Sequence, residues 1–379
     1  MSGMPKVARA GAAPVEHHFQ CESCGADLRF APGQERLVCD HCGHVQDIPK
    51  ATGRGLAHLR ELPLAAGLAA DLPAEEMEEH RSVSCPNCGA SIEVSGADHA
   101  LNCPFCATPV VLDTGTKRLI KPQGLVPFQL TEEEARAALG RWLGRLWFAP
   151  SGLAQYARRG RKMSGIYAPF WTFDAASRTG YSGQRGDYYY TTRQVQVMVD
   201  GRPQMRTVQE RHIRWTPVSG RVARDFDDVL IYAARSLPPP YIAALQPWDL
   251  SALQGYAPDY IAGFEAEAYT VELHEGHHLA RAEMLRVIQS DVRRDIGGDE
   301  QQIGRLDPAF AAETFKHVLL PVWTAAYRYR DRSYRFVVNA QTGAVQGDRP
   351  WSAWKIAFAV ILAALAIAAI AYFSQTQGQ

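Results

Sequence analysis

Two kinds of residue grouping in this chain have the type and spacing to do chemistry. The first is cysteine. Cys21-Glu22-Ser23-Cys24 is followed fourteen residues later by Cys39-Asp40-His41-Cys42, and Cys85-Pro86-Asn87-Cys88 is followed, again fourteen residues later, by Cys103-Pro104-Phe105-Cys106. A C-x-x-C turn brings two thiolates onto one ion, small residues such as Gly25, Gly43 and Gly89 allow the tight turn, and two such knuckles complete a tetrahedral sulfur site with no open coordination position. The second grouping is His274-Glu275-Gly276-His277-His278, which fits the H-E-x-x-H zincin pattern, with Glu300 available as a third ligand. That chemistry requires both histidines on one helix face. The preceding AYTVEL alternates like a strand and Gly276 falls where a helix should be solid, and the internal match of Ala280-Arg281-Ala282 to Ala135-Arg136-Ala137 places the helix start near His277. The match is therefore read as a decoy.

The cysteine spacing occurs twice at an offset of 64 positions, with Cys24-Gly25-Ala26 matching Cys88-Gly89-Ala90, which marks an internal duplication. All eight cysteines lie between Cys21 and Cys106 and none follows. Short-spaced pairs indicate metal, whereas a disulfide framework spreads its cysteines. The expectation is two structural Zn2+ sites, one on Cys21, Cys24, Cys39 and Cys42 and one on Cys85, Cys88, Cys103 and Cys106. An iron–sulfur centre or a redox pair is the alternative. His41 and His44 read as exposed loop residues beside sites that four thiolates already fill. Each ribbon is too small to fold on its own core, so the metal has to supply much of its folding free energy, roughly 10–16 kcal/mol in zinc-finger peptides.

Composition bounds the partners. The 379 residues carry no formal net charge, but residues 1–120 hold 10 Lys/Arg against 15 Asp/Glu. Residues 21–50 of ribbon one hold three basic and five acidic residues, and residues 83–112 of ribbon two hold two acids and no Lys or Arg. Neither offers the basic stripe that nucleic acid needs, so nucleic-acid binding is disfavoured and protein contact is the better reading. The basic stretch Arg158, Arg159, Arg161 and Lys162 near Trp142, Trp147 and Phe148 could touch anionic lipid or an acidic partner, or be a plain exposed loop. No G-x-x-x-x-G-K-[ST] loop, G-x-S-x-G elbow or strand-linked G-x-G-x-x-G is present, so no ATP site, serine nucleophile or small-molecule substrate is indicated and no enzyme activity is expected.

Ile356 to Phe373 is a run of eighteen apolar residues, about 27 Å as a helix. Trp351, Trp354 and Tyr372 flank it as interfacial anchors would, and Arg349 and Lys355 precede it. These features predict one transmembrane helix, tail-anchored in the inner (cytoplasmic) membrane, with the N-terminal bulk in the reducing cytoplasm. No signal peptide is visible in the first twenty residues.

The elements that position these groups follow. The expected fold class is α+β. Its parts are a flexible N-terminus (1–18), zinc ribbon one (19–50), a partly helical linker (51–82) and zinc ribbon two (83–114). An α+β body with antiparallel hairpins (119–350), the membrane helix (353–373) and a short tail (374–379) complete it. Glu75, Glu76, Glu78 and Glu79 read as a solvated face. Thr131-Glu132-Glu133-Glu134 is a capping-box start for an amphipathic helix burying Ala135, Leu139, Trp142, Leu143 and Leu146. TTRQVQVMV and QMRTVQERHIRW flank Asp200-Gly201, a hairpin signal. AAYRYRDRSYRFVV alternates like a strand, and Asn339 to Gly343 turns into a last strand, AVQG. Pro169-Phe170-Trp171-Thr172 returns as Pro321-Val322-Trp323-Thr324. Ala135-Arg136-Ala137 with Arg141 has a counterpart in Ala280-Arg281-Ala282 with Arg286, which suggests a duplicated body.

With these residues in view, the chain resembles a bacterial family of tail-anchored double zinc-ribbon membrane proteins with transcription-factor-type ribbons. The resemblance covers both ribbons, LVPF at 125–128, WLGRLWFAPSGL at 142–153, PFWTFD at 169–174, ASRTGYSGQRG at 176–186 and RFVVNAQTGAVQGDRPWSAWKIA at 335–357. Members often carry the label primosomal protein N′ (replication factor Y), superfamily II helicase. The resemblance implies a metal-binding membrane protein. This sequence departs from a helicase in having no ATP loop and too little chain for two motor domains. The function expected is a zinc-binding, tail-anchored adaptor or scaffold whose ribbons dock a cytoplasmic protein. One alternative is a nucleic-acid-associated ribbon protein without helicase activity, and another is an H-E-x-x-H membrane metallopeptidase using His274, Glu275 and His278.

Overall fold

The computed structural model describes residues 19–48, 59–93, 100–106, 108–111, 115–147, 163–199, 202–329, 332–348 and 352–376. The basic stretch around Arg158 lies outside them. Ribbon one is a three-stranded antiparallel sheet of β1 (Leu28–Ala31), β2 (Arg36–Cys39) and β3 (Val45–Asp47). The linker supplies β4 (Leu62–Pro63), a short helix α1 (Leu64–Leu68) and the start of β5 (Met77–Ser84), so its acidic run enters a strand. Ribbon two holds β6 (Ser91–Glu93), β7 (Ala100–Asn102) and β8 (Pro109–Val111).

The body follows with β9 (Gly115–Ile120), β10 (Gly124–Leu125) and α2 (Glu132–Gly144). Three very long strands come next in importance: β11 (Ser164–Val199), β12 (Arg202–Tyr232) and, further on, β15 (Glu300–Tyr329). Between β12 and β15 lie α3 (Pro239–Leu245), β13 (Gln254–Gly255), β14 (Glu265–Ala268) and α4 (Leu273–Ile296). After β15 come β16 (Arg332–Asn339), β17 (Val345–Gly347) and α5 (Ala353–Thr376). The described residues are 47% strand and 26% helix. The α+β expectation is therefore corrected to a mostly β architecture. Its physical reason is strand length: at about 3.3 Å per residue the 36 residues of β11 reach roughly 120 Å.

β11 is central, paired antiparallel with β12 on one side and β15 on the other. Its pairing with β15 stops at Gly186–Glu300. Beyond that point β11 and β12 run on as a two-stranded arm with Tyr189, Tyr190, Met198 and Met205 exposed. One face of the three-stranded region is covered by α4, whose Met284, Ile288, Val292 and Ile296 repeat every fourth residue and so form one stripe. Ile288, Val292 and Ile296 pack with Tyr181, Val218, Val222 and Phe310. The α2 start carries the capping box: Thr131 N–H donates to Glu134 (2.8 Å) and Glu134 N–H to Thr131 Oγ1 (3.3 Å).

The repeated Pro-x-Trp-Thr segments lie on adjacent antiparallel strands, 169–172 of β11 opposite 316–319 of β15 and 321–324 of β15 opposite 164–167 of β11, and the two halves interlock through them. Trp171 Nε1–H donates to Val271 C=O just before α4, and Trp323 Nε1–H donates to Leu130 C=O just before α2, each at 2.9 Å. β10 adds in parallel to β15 at Val318–Leu319, and β14 adds in parallel to β11 at Ile166–Tyr167. Ala233 N–H bonds Pro169 C=O, and Ala340 N–H bonds Pro321 C=O. Trp323 rests edge-on to Phe128 at 5.1 Å, and Trp171 lies 4.9 Å from Tyr269. These matched contacts define a local two-fold relation between residues 124–233 and 265–340.

Among the described residues, no helix is long and apolar enough to cross a membrane. The apolar run is helical in α5, with Ile356, Phe358, Leu365 and Ile370 exposed. The expectations of a transmembrane helix, a tail-anchored membrane protein, a single-span membrane partner and an inner-membrane, cytoplasm-facing location are corrected on this finding.

Candidate metal centres and the groove beside them

Each cysteine set converges. Sγ–Sγ distances are 3.6 Å for Cys21–Cys42 and for Cys24–Cys39. They are 3.5 Å for Cys85–Cys106 and 3.6 Å for Cys88–Cys103. All eight are free thiols. A metal with sulfur bonds of about 2.3 Å in tetrahedral geometry separates its ligands by about 3.8 Å, so both sets fit one metal ion each and are compatible with zinc. The knuckles form because Gly25, Gly43 and Gly89 adopt φ of 74°, 72° and 74°. Their N–H groups then turn back onto the carbonyls of Cys21, Cys39 and Cys85. A side chain is strained in that conformation.

The electrostatics of the sulfurs point the same way. Backbone N–H of Cys42, and then of His41, hold the Cys39 thiol down to about 7 against the opposing effect of burial. The Cys103 thiol donates to Cys88 and brings it down to about 5, while that same bond and burial push Cys103 up. Four sulfurs this close cannot all be anionic unless a cation sits among them. Site one is the more open, with Cys24 and Cys42 exposed; in site two Cys85, Cys103 and Cys106 are buried.

The H-E-x-x-H segment is placed differently from the expectation. α4 begins at Leu273 with Glu272 as its N-cap, not near His277. Gly276 is helical because the helix presses on Trp171, where an added Cβ would stand 2.6 Å from Cδ1. His274 and His278 therefore do share a face, with rings 6.0 Å apart and both exposed. Their partners are missing. Glu275 is held by Arg235 at 2.6 and 2.7 Å. Glu300 lies past the far end of the helix, where it accepts from Tyr188 Oη at 2.6 Å. Among the described residues these side chains form no convergent metal group. His278→Ala is accordingly expected to leave metal content unchanged; a third metal lost on this substitution, measured by elemental analysis of the full chain, would reverse that conclusion.

Sequence reasoning missed two buried polar groups. Asp174, Asp227 and Asp228 converge, and the cation among them is Lys316, 1% exposed, with Nζ 2.9 Å from Asp228, 3.1 Å from Asp174 and 3.1 Å from Glu61. Glu267 is 1% exposed and accepts from Tyr232 Oη (2.8 Å), which also lies 2.6 Å from Ser236 Oγ. Burial pushes Glu267 up to about 8, and the Cys88 sulfur nearby adds to this. A raised carboxyl contributes stability that is fully present below its ordinary value near 4.3 and is lost as pH rises to about 8. At 1.36 kcal/mol per unit the loss sums to roughly 4–5 kcal/mol. Glu267→Gln, which cannot ionise, is expected to gain several kcal/mol relative to wild type between pH 5 and pH 9 in urea midpoints. A difference independent of pH would contradict this.

Beside site two opens a groove of about 1920 Å³. Cys88 and Cys106 reach it from ribbon two, Leu230 and Tyr232 from β12, and Leu279 and Met284 from α4. Small-molecule sites are roughly 300–1,000 Å³, so the space is of peptide size.

No family model matches this chain, and no solved structure matches it. It is similar, at 24% identity over 353 residues, to a protein of Bacillus subtilis (strain 168) described as "Uncharacterized protein YdjG", across 89% of this chain and 92% of that protein.

Proposed function

We propose that this protein is a non-enzymatic scaffold of the double zinc-ribbon kind that its sequence resembles, with structural Zn2+ in both four-cysteine sites and a protein partner docked at ribbon two. The observation that carries the reading is the large groove opening directly onto ligands Cys88 and Cys106 of a closed sulfur site. Closed sites staple a surface and leave no position for substrate. Elemental analysis should give two zincs per chain; iron with its visible absorbance would overturn the metal assignment. Affinity capture should then compare wild type with Cys85→Ser and with Asn87→Lys, a groove residue that is not a ligand. Partners lost in both variants, with Asn87→Lys still holding two zincs, are the expected result. An unchanged partner set would reject the reading.

The nucleic-acid alternative gains one observation. On the arm, Arg211 stacks over Tyr188 at 4.4 Å, Arg214 lies over Tyr189 at 5.2 Å, and Tyr189 stacks on His212. Arginine–aromatic surfaces suit nucleic acid, and a two-stranded ribbon fits a major groove. Duplex or single-stranded DNA binding with a steep salt slope, weakened by Arg211→Gln with Arg214→Gln, would favour it.

A further inference from the structure

The local two-fold assigns an unfilled strand position. Ala233 and Ala340 are equivalent, since each donates to the carbonyl of the proline that opens a Pro-x-Trp-Thr segment. Counting back from them, Val229, Leu230 and Ile231 of β12 correspond to Phe336, Val337 and Val338 of β16. The outer edge of the latter three is covered by β17, through Phe336–Gly347, Val337–Gln346 and Val338–Val345. Among the described residues, β12 pairs only with β11, so its outer edge at 229–231 has no strand on it. Those same residues line the groove consecutively. Side chains of a strand alternate between faces, so a groove touched by four residues in a row, Val229 to Tyr232, is touched by the strand's edge.

We infer that an extended segment of the partner protein adds to β12 at Val229–Ile231, antiparallel, as β17 adds to β16. This rests on the protein-docking reading and specifies the partner's chemistry. β17 is Val345-Gln346-Gly347, short and uncharged. Val345 packs into the cluster that holds Ala138 and Leu143 of α2. Counted from the carbonyls that the two tryptophans hold, and from the helix starts at Glu132 and Leu273, Leu279 of α4 falls at the place of Ala138, one helical turn away from the sequence match of Ala135 to Ala280, and Leu279 is 48% exposed on the groove wall. The charged side chains lining the groove are already engaged: Arg235 pairs with Glu275 and Glu283 with Arg286, Asp348 accepts from Tyr241 Oη and Arg335 N–H, and the Arg335 guanidinium donates to Ser236 C=O. A neutral strand with apolar or small side chains on its α4-facing side is the occupant that fits. Main-chain bonds give such a strand affinity, and alternate side chains give it selectivity.

The probe is a fluorescein-labelled synthetic peptide copying Thr342 to Asp348, titrated against the full metal-loaded chain by anisotropy. Two further peptides are N-methylated on alternate residues, each blocking one edge. Saturable binding is expected, at least about ten-fold weaker to Leu279→Glu, and lost for one methylated peptide but kept for the other. No binding up to about millimolar peptide, or equal binding of both methylated forms, would overturn the inference. So would self-association of the chain that Leu279→Glu abolishes, since the occupant would then be a second copy. Peptide binding together with a partner set indifferent to Cys85→Ser and Asn87→Lys would remove the scaffold reading and leave the strand site standing.

Discussion

Replacing Cys85 with serine is expected to leave one bound metal instead of two and to lower the melting temperature by about 10 °C or more. The reasoning starts at the sulfur site. Without its fourth thiolate, ribbon two loses a binding free energy that in small ribbon peptides is about 10–16 kcal/mol at neutral pH. Ribbon two is built into the body: β6 pairs with β14, and β5 with β9. Val83, Ile92, Phe105 and Val110 share a buried cluster with Ile166, Phe170, Val318 and Leu320 of the long strands. Unfolding the ribbon strips one side of that cluster. At 2–4 °C per kcal/mol for a body of this size, a loss of about 4 kcal/mol gives the stated shift.

Cys24→Ser supplies the contrast. Ribbon one forms its own sheet and meets the body through Phe30 N–H to Ala262, Gly33 N–H to Phe128 and the packing of Phe30 against Tyr260 and Phe264. Its loss leaves the central sheet's hydrogen bonds intact, so a smaller drop is expected, and a chelator should take its metal first because Cys24 and Cys42 are exposed. Metal content and thermal melts of both variants test this together. Equal effects, or no metal in wild type, would sink the account of the ribbons.

What could be read from the chain beforehand follows from range in sequence. The cysteine sites were legible because a metal clamp is a local device: each knuckle closes within four residues, and each site within 22 residues from Cys21 to Cys42 and from Cys85 to Cys106. The capping box at Thr131 and the turn at Asn339, whose Oδ1 accepts from Gln341 and Thr342 N–H, are local in the same way. Gly276 misled because its flexibility is visible in the sequence and its contact with Trp171, more than a hundred positions away, is not. The stretches flanking Asp200-Gly201 were legible as strand; that β11 runs unbroken through Gly180, Gly183 and Gly186 depends on its pairing with β12 and β15. The Pro-x-Trp-Thr repeat was visible as a repeat; that each tryptophan ties down the other half's helix start depends on β11 and β15 pairing.

The Lys316 group is the extreme case, with Glu61 255 positions away and Asp174 142, and it carries the second large prediction. Lys316→Met is expected to destabilise the protein by about 3–5 kcal/mol, because it removes the cation and leaves buried carboxylates unpaired. The place explains the charge. Opposite Asp174 the pairing slips on both flanks, between Phe173 and Ala175 against β12 and between Asp174 and Ala176 against β15. Asp228 and Ala312, at these two bulges, have φ of 51° and 52°. All three long strands thus bend together, and Lys316 holds the bend by joining Asp228 to Asp174 and Glu61. Burial already raises Asp174, and without the ammonium the like charge of Asp228 raises it further. A carboxyl raised in the folded state contributes stability that is fully present below about 3.9 and is lost as pH rises through its folded value. Lys316 is raised by its carboxylate neighbours against the effect of burial, so in wild type its contribution holds up to about 10.4 and falls only beyond. The deficit of Lys316→Met should therefore be larger at pH 8 than at pH 5, and adding Asp228→Asn should recover part of it. A deficit that does not change with pH, or two substitutions that simply add, would mean that lost packing rather than stranded charge sets the cost of opening the bend.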